Sequence, residues 1–254
     1  EPLACRRCGC GVIDQSIKTT KDLKKQASTL ESNIKSNASS QSDDYESTLT
    51  TELAKYGYAS YEELNDYCLT SVKEKEMNKK YITKHFDEVK KAWEEKNPRT
   101  VSIIKMDVSD ADNLTETEAK KKSNIDKALE KESFADVAKA FSEDSNTANK
   151  NGFAGYVDSN STSSDWSSTS TVPADVVTAA IGLKKGETSD WITVTSSSGT
   201  SLYKVYVKET NSKKIFNAKS DTVSNQALYA ILNSDSSLSY KILDSYAKKL
   251  DIKF

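Results

Sequence analysis

Histidine is almost missing from this chain: its 254 residues contain one, His85. A Ser-His-Asp nucleophile set cannot be assembled around a single distant imidazole, and the charged helical setting YITKHFDEVKK makes His85 a surface residue. Arginine is nearly as rare, confined to Arg6, Arg7 and Arg99. The net charge of -2 offers no concentrated basic face for nucleic acid. With eight glycines there is no glycine-rich phosphate loop. No apolar run approaches the roughly 20 residues needed to span a bilayer. No hydrophobic signal segment is visible either, so the chain reads as soluble as given, or as a mature product.

Cysteine is scarce and unevenly placed. Three of the four, Cys5, Cys8 and Cys10, stand in the opening EPLACRRCGCG. A closed zinc site needs four ligands, and no nearby histidine or second cysteine pair supplies the fourth. No metal and no cofactor are expected. PLAC lacks the apolar residue usual three places before a lipidated cysteine, and residues 1–15 are read as a flexible Cys-rich leader. Cys68 lies among Leu64, Leu69 and Val72 at helical spacing, as a small core residue does. The acidic run DVSDADN, with Asp107, Asp110 and Asp112, lacks the glycine and distal glutamate of a calcium loop, and reads as a turn ending a strand.

What is present is periodic. Hydrophobic residues make up only 36% and charged residues 29%, a balance that would suit disorder if the apolar positions were scattered. They are not. Leu23, Ala27, Leu30 and Ile34 mark one helix face, and Leu49 and Leu53 a second helix that Gly57 ends. Ser60 and Glu63 form a capping box. Ile82, Phe86, Val89 and Trp93 continue the helical pattern until Pro98 stops it. At Arg99 the pattern changes to a short β-branched strand, VSIIKMDV. Thr115 and Glu118 then cap a helix, Ser133 caps FADVAKAFS, and a Gly- and Ser-rich loop is expected from about Asn146 to Thr171. The helix ADVVTAAIGL follows. Two alternating segments around Trp191–Val194 and Tyr203–Val207, turned at Gly199, read as a hairpin. Helices return after Asn211. The order predicts an α+β fold: a domain with an antiparallel sheet over 99–210, inserted in an all-helical lobe formed by residues 16–98 and 211–254.

The segment FADVAKAFSEDSNTANKNGFAGY resembles the part of parvulin domains where an amphipathic helix leads to Ser-x-Asp and a glycine turn. AAIGLKKGETSDWITVTSSSGTSLYKVYV is similar to their closing half. The flanking helices, with YGYASYEELNDY and SYKILDSYAKKLDIKF, resemble the chaperone lobe of PrsA-like foldase lipoproteins. This resemblance implies peptidyl-prolyl cis-trans isomerisation and chaperoning of unfolded or partly folded secreted polypeptides and proline-containing peptides. It also implies a place at the outer membrane face or surface of a Gram-positive-type bacterium, with membrane contact only through an N-terminal lipid anchor.

Residue by residue, Asp144 falls on the family's catalytic Asp/Cys position. The two signature histidines are replaced, the first by Ile103 and the second by Ser201. The proline pocket maps onto Val172, Val176 and Ile181, with Ile103 and Tyr203 beside it, and Trp166 sits in the enlarged loop before it. On the same resemblance, histidines restored at 103 and 201 should raise the isomerisation rate. Three functions stay open: a chaperone whose isomerase domain is weakly active or inactive, an isomerase working through Asp144 in an altered site, or a surface structural or interaction protein reusing the fold. Fold alone does not choose among them.

Overall fold

RTVSIIKMDV is apolar on both of its faces, which suits a strand covered from two sides. In the computed structural model, which describes residues 3–162 and 172–252, it forms β1 (Arg99–Val108). Its partners are β2 (Phe153–Val157), β3 (Ile192–Ser196) and β4 (Gly199–Glu209). The sheet is antiparallel throughout, in the order β2-β1-β4-β3.

The helices in chain order are α1 (Leu3–Ser16), α2 (Lys21–Ser39), α3 (Tyr45–Ala54) and α4 (Leu64–Lys84). The short α5 (Phe86–Val89) and α6 (Lys91–Glu94) precede β1. After β1 come α7 (Glu116–Leu129), α8 (Phe134–Phe141) and α9 (Ser145–Ala148). The last four are α10 (Ala174–Gly182), α11 (Ser212–Phe216), α12 (Asp221–Ser234) and α13 (Leu238–Lys249).

Two compact units result, Glu1–Phe86 with Asp235–Phe254, and Asp87–Ser234. The first is built from both chain ends, with α2 and α1 packed on α4. Cys68 is fully buried there. α1 begins at Leu3, inside the segment read above as a leader. Ile13 and Ile17 are one helical turn apart, and with Val12 they are buried where α1 meets α4 and α13.

The second unit is larger than the expected insert. The changes of pattern at 98/99 and 210/211 mark the ends of the sheet's strands, but packing continues beyond them. α12 buries Val223, Ala227 and Ile231 and packs on α6 and β2. Trp93 of α6 is fully buried, and its Nε1 donates to the Tyr156 hydroxyl at 2.8 Å. That hydroxyl donates in turn to Asp158 Oδ2 at 2.6 Å.

The alternation of β1 sorts two cores. Ile104, Met106 and Val108 point to one face and pack with Ile125 of α7 and Phe134, Val137 and Ala138 of α8. Both helices start at the predicted caps: Thr115 Oγ1 accepts from Glu118 N at 3.3 Å, and Ser133 Oγ accepts from Asp136 N at 3.2 Å. Val101 and Ile103 point to the other face, where α10 lays Val176, Val177 and Ala180 over Val205 and Val207. Arg99 fixes that helix by donating from Nη1 to the carbonyls of Ala180 and Leu183 at its C-terminal end.

The expected loop over 146–171 contains α9 and β2 instead. The sequence hid β2 because Gly155 interrupts its apolar run and its pairing with β1 is irregular between Val101 and Ser102. Gly152, just before it, sits at φ +75°, and a Cβ there would lie 2.6 Å from Ala138 Cβ and 2.8 Å from the Ile103 carbonyl oxygen. Neither neighbour is the loose end of a long side chain. Gly152→Ala is therefore expected to cost about 2–4 kcal/mol from backbone strain and overpacking together, read as a lowered urea midpoint.

Candidate functional site

The ladder between β1 and β4 sets Ile103 opposite Val205, Lys105 opposite Tyr203 and Asp107 opposite Ser201. With a side-chain period of two, all six share one face. β3 adds Ile192 opposite Tyr203 and Val194 opposite Ser201. Along this face the chemistry changes. Around Ile103 it is apolar and covered by α10, and towards Asp107 it becomes polar and open.

Asp107 organises the polar end. Its Oδ1 accepts from Ser201 Oγ at 2.7 Å and pairs with Lys105 Nζ at 2.9 Å. Partial burial pushes the Asp107 carboxyl up, but the Ser201 and Lys105 contacts prevail and hold it below the usual carboxylate range. The same contact with Asp107 raises Lys105. Tyr203 stands at the junction of the two regions, 9% exposed, its phenol pushed up by burial. Among the described residues its hydroxyl makes no hydrogen bond.

Asp144 reaches this region because β2 is short. Beyond Ser102 the outer edge of β1 has no strand to pair with, and other groups fill its hydrogen bonds. Ile103 N donates to the Gly152 carbonyl at 2.8 Å, Lys105 N to Ser142 Oγ at 3.1 Å, and Asp107 N to Glu143 Oε2 at 2.7 Å. Glu143 N returns a bond to the Lys105 carbonyl at 2.9 Å. So tethered, Asp144 caps α9: Oδ1 accepts from Asn146 N at 3.3 Å and Oδ2 from Thr147 Oγ1 at 2.6 Å. Its charge, with those of Lys105 and Asp107, acts on the Tyr203 phenol.

The residues singled out from the sequence thus separate into two groups. Asp144 and Ser201 stand at the polar end with Tyr203 beside them. Ile103, Val172 and Val176 are 0%, 4% and 0% exposed, packed into the core where α10 lies on β4, while Ile181 is half-buried at its margin. The first three therefore support the face from beneath and do not line an open wall. Lys105 and Asp107 join this face although the sequence reading does not single them out as site residues; both follow Ile103 at the period of a strand, but Asp107 reads as part of the turn that follows. His85 stacks on Tyr81, with ring centroids 4.4 Å apart, and belongs to α4's C-cap. Trp166 lies outside the described residues. Among the described residues no three histidine, cysteine, aspartate or glutamate side chains are grouped to hold a metal ion, and no helix is long and apolar enough to cross a membrane.

Residues 102–207 match the family model described as Rotamase, the PPIC-type peptidyl-prolyl isomerase (PPIase) domain. The middle of the chain is a PPIC-type domain. The matched segment begins on β1 and ends on β4, and it contains every residue of the site just described. Comparison with curated proteins found no match. Among solved structures, the chain is similar to the foldase protein PrsA from Streptococcus pneumoniae str. Canada MDR_19A, at 21% identity over 99% of this chain and 84% of that one, with a TM-score of 0.39. It is similar to PrsA from Bacillus subtilis at 20% identity over 99% and 84%, with a TM-score of 0.46. The peptidylprolyl isomerase (PrsA) from Bacillus anthracis matches at 22% identity over 100% and 99%, with a TM-score of 0.38.

Prolyl isomerisation makes and breaks no covalent bond. Its barrier of about 18–20 kcal/mol is amide resonance, lowered by holding the twisted amide better than either planar form. That requires an apolar seat for the ring and polar groups aimed at the carbonyl and at the prolyl nitrogen. In this PPIC-type domain Tyr203 belongs to the apolar cluster under α10, and Ile181 packs half-buried against that cluster. The Ser201 hydroxyl and Lys105 ammonium already donate to Asp107, and Asp144 is occupied at the α9 cap.

Proposed function

We propose that the chain is an extracytoplasmic folding factor that binds unfolded, proline-containing polypeptides while turning them over weakly or not at all. The observation that carries this reading is the fully buried, apolar Ile103 at the position where the family resemblance implies the first histidine. An isoleucine in a closed core offers no hydrogen bond to a twisted amide. The polar groups that remain nearby are engaged with one another. Ring-to-ring and ring-to-apolar contact at Tyr203 and Ile181 needs no histidine, so binding outlives catalysis. A second reading, an isomerase acting through Asp144 in an altered site, draws support from the nearness of Lys105, Asp107 and Tyr203 to that residue. The lipid anchor and the Gram-positive surface implied by the resemblance belong to this proposal as its setting.

Titration of an isotope-labelled sample with a short Ala-Pro or Phe-Pro peptide tests it. The expected result is shifts at Lys105, Ser201, Tyr203 and Ile181, with separate, unexchanged cis and trans peptide signals. Signals that coalesce as protein is added favour the second reading. No shift at these residues sinks both.

A further inference from the structure

The chain fills one open edge of its sheet and leaves another bare. Where β2 stops, the outer groups of β1 are taken up by Gly152, Ser142 and Glu143. On the opposite side β3 ends the sheet. Ser189 N donates to the Val205 carbonyl at 2.9 Å and Val207 N to the Glu187 carbonyl at 3.0 Å, so the odd-numbered residues of β4 aim their backbone groups at this side. By the alternation of an antiparallel ladder, Tyr203 and Ser201 then bond Ile192 and Val194. Thr193 and Thr195 turn their N–H and C=O groups away from the sheet. Among the described residues those groups have no backbone partner.

Such an edge is usually guarded by charge, proline or a bulge, because it can pair with any extended chain. Here those guards are missing. From Trp191 to Tyr203 the sequence has neither a charged residue nor a proline, although charged residues make up 29% of the chain. The register from Ile192 to Ser196 is regular, without a bulge. The edge also adjoins the candidate site, since Ile192 and Val194 share the face that carries Tyr203 and Ser201. What it offers is backbone hydrogen bonding, and the guest that answers it is an extended strand. A second copy of this chain suits it poorly. Two outward residues make a ladder too short for the about 1,200 Å² that a stable protein interface buries.

We propose that the outer edge of β3 holds an extended segment of an unfolded polypeptide as an added antiparallel strand. The proposal rests on the folding-factor reading for the source of that segment and specifies how it is held. Client residues opposite Thr193 and Thr195 donate and accept the ladder bonds. The client residue opposite Val194 points its N–H away from the sheet, so a proline is accepted there without losing a bond. Its ring then lies on the face of Val194 and Ser201, two strand spacings from Ser201, or roughly 10 Å. The proline is held beside the candidate site and not in it, which is binding without turnover.

Amide hydrogen exchange on the isotope-labelled full chain tests this, with a reduced, carboxymethylated polypeptide as the client. The Thr193 and Thr195 amides should exchange quickly in the free protein and slow by about tenfold or more with client in excess. The Val194 amide, already paired, should be slow in both states. Thr195→Pro removes one outward donor and leaves the bonds to β4 in place, and it should weaken client binding about two- to tenfold. Unchanged exchange at both threonines with client in excess would overturn the proposal, and that comparison needs no variant to fold. Slowing that follows the protein's own concentration, without client, would overturn it in favour of paired copies. If the chain suppresses client aggregation while both amides stay fast, the edge fails and the folding-factor reading stands. If the amides slow with client but aggregation continues, the reverse holds.

Discussion

Ile103→His is expected to destabilise the sheet unit by about 2–4 kcal/mol, through lost apolar packing and an imidazole buried without a partner, and to leave prolyl isomerisation at its spontaneous rate. Position 103 is closed on all sides by Val176, Val205 and their neighbours. Its backbone is also fixed, because Ile103 N bonds the Gly152 carbonyl. Adding Ser201→His does not recover the rate, contrary to the simple expectation that two restored histidines recreate a site. Ile103 pairs with Val205 and Ser201 with Asp107, so the two positions are four ladder steps apart, roughly 13 Å along the strands. Urea unfolding and exchange spectroscopy on the single and double variants read both effects. Unchanged stability together with a gain of turnover would show that position 103 opens to substrate.

Trp93→Ala should cost the same unit about 3–5 kcal/mol, the usual range for emptying a buried tryptophan site. It removes a fully enclosed ring and leaves the Tyr156 hydroxyl without the donor that now completes it. Trp93→Phe separates the two contributions, since it keeps most of the ring but loses the hydrogen bond, for about 1 kcal/mol. This residue lies before the first strand, so the prediction also concerns where the unit begins. A fragment covering 87–234 should unfold cooperatively, whereas 99–210, which lacks both Trp93 and α12, should be far less stable. Equal stability of the two fragments would place Trp93 and α12 outside the unit's cooperative core.

Much of this architecture was legible because local rules and global packing agree. Thr115 with Glu118 announced α7, Ser133 announced α8, and the alternation around Gly199 announced the β3–β4 hairpin. What was not legible depended on partners distant in sequence. β2 looks like loop until β1 supplies its hydrogen bonds. The helicity of α1 means little until α4 and α13 cover Val12 and Ile13. In the site, the resemblance located Asp144 and Ser201, but only the strand register brings Lys105 and Asp107 to the same face. Ile103 is the opposite case: the resemblance marks it as the place of a histidine, and only the packing of α10 on the sheet encloses it in the apolar core.

The central claim, binding without turnover, is tested most directly by two readouts on one sample of the unmodified chain. One follows light scattering of an unfolded client at equimolar protein. The other follows cis-trans relaxation of a prolyl peptide. The account predicts suppressed aggregation, with relaxation still taking tens to hundreds of seconds as in the uncatalysed reaction. A relaxation rate that climbs with protein concentration, and falls back in Asp144→Ala, would contradict it.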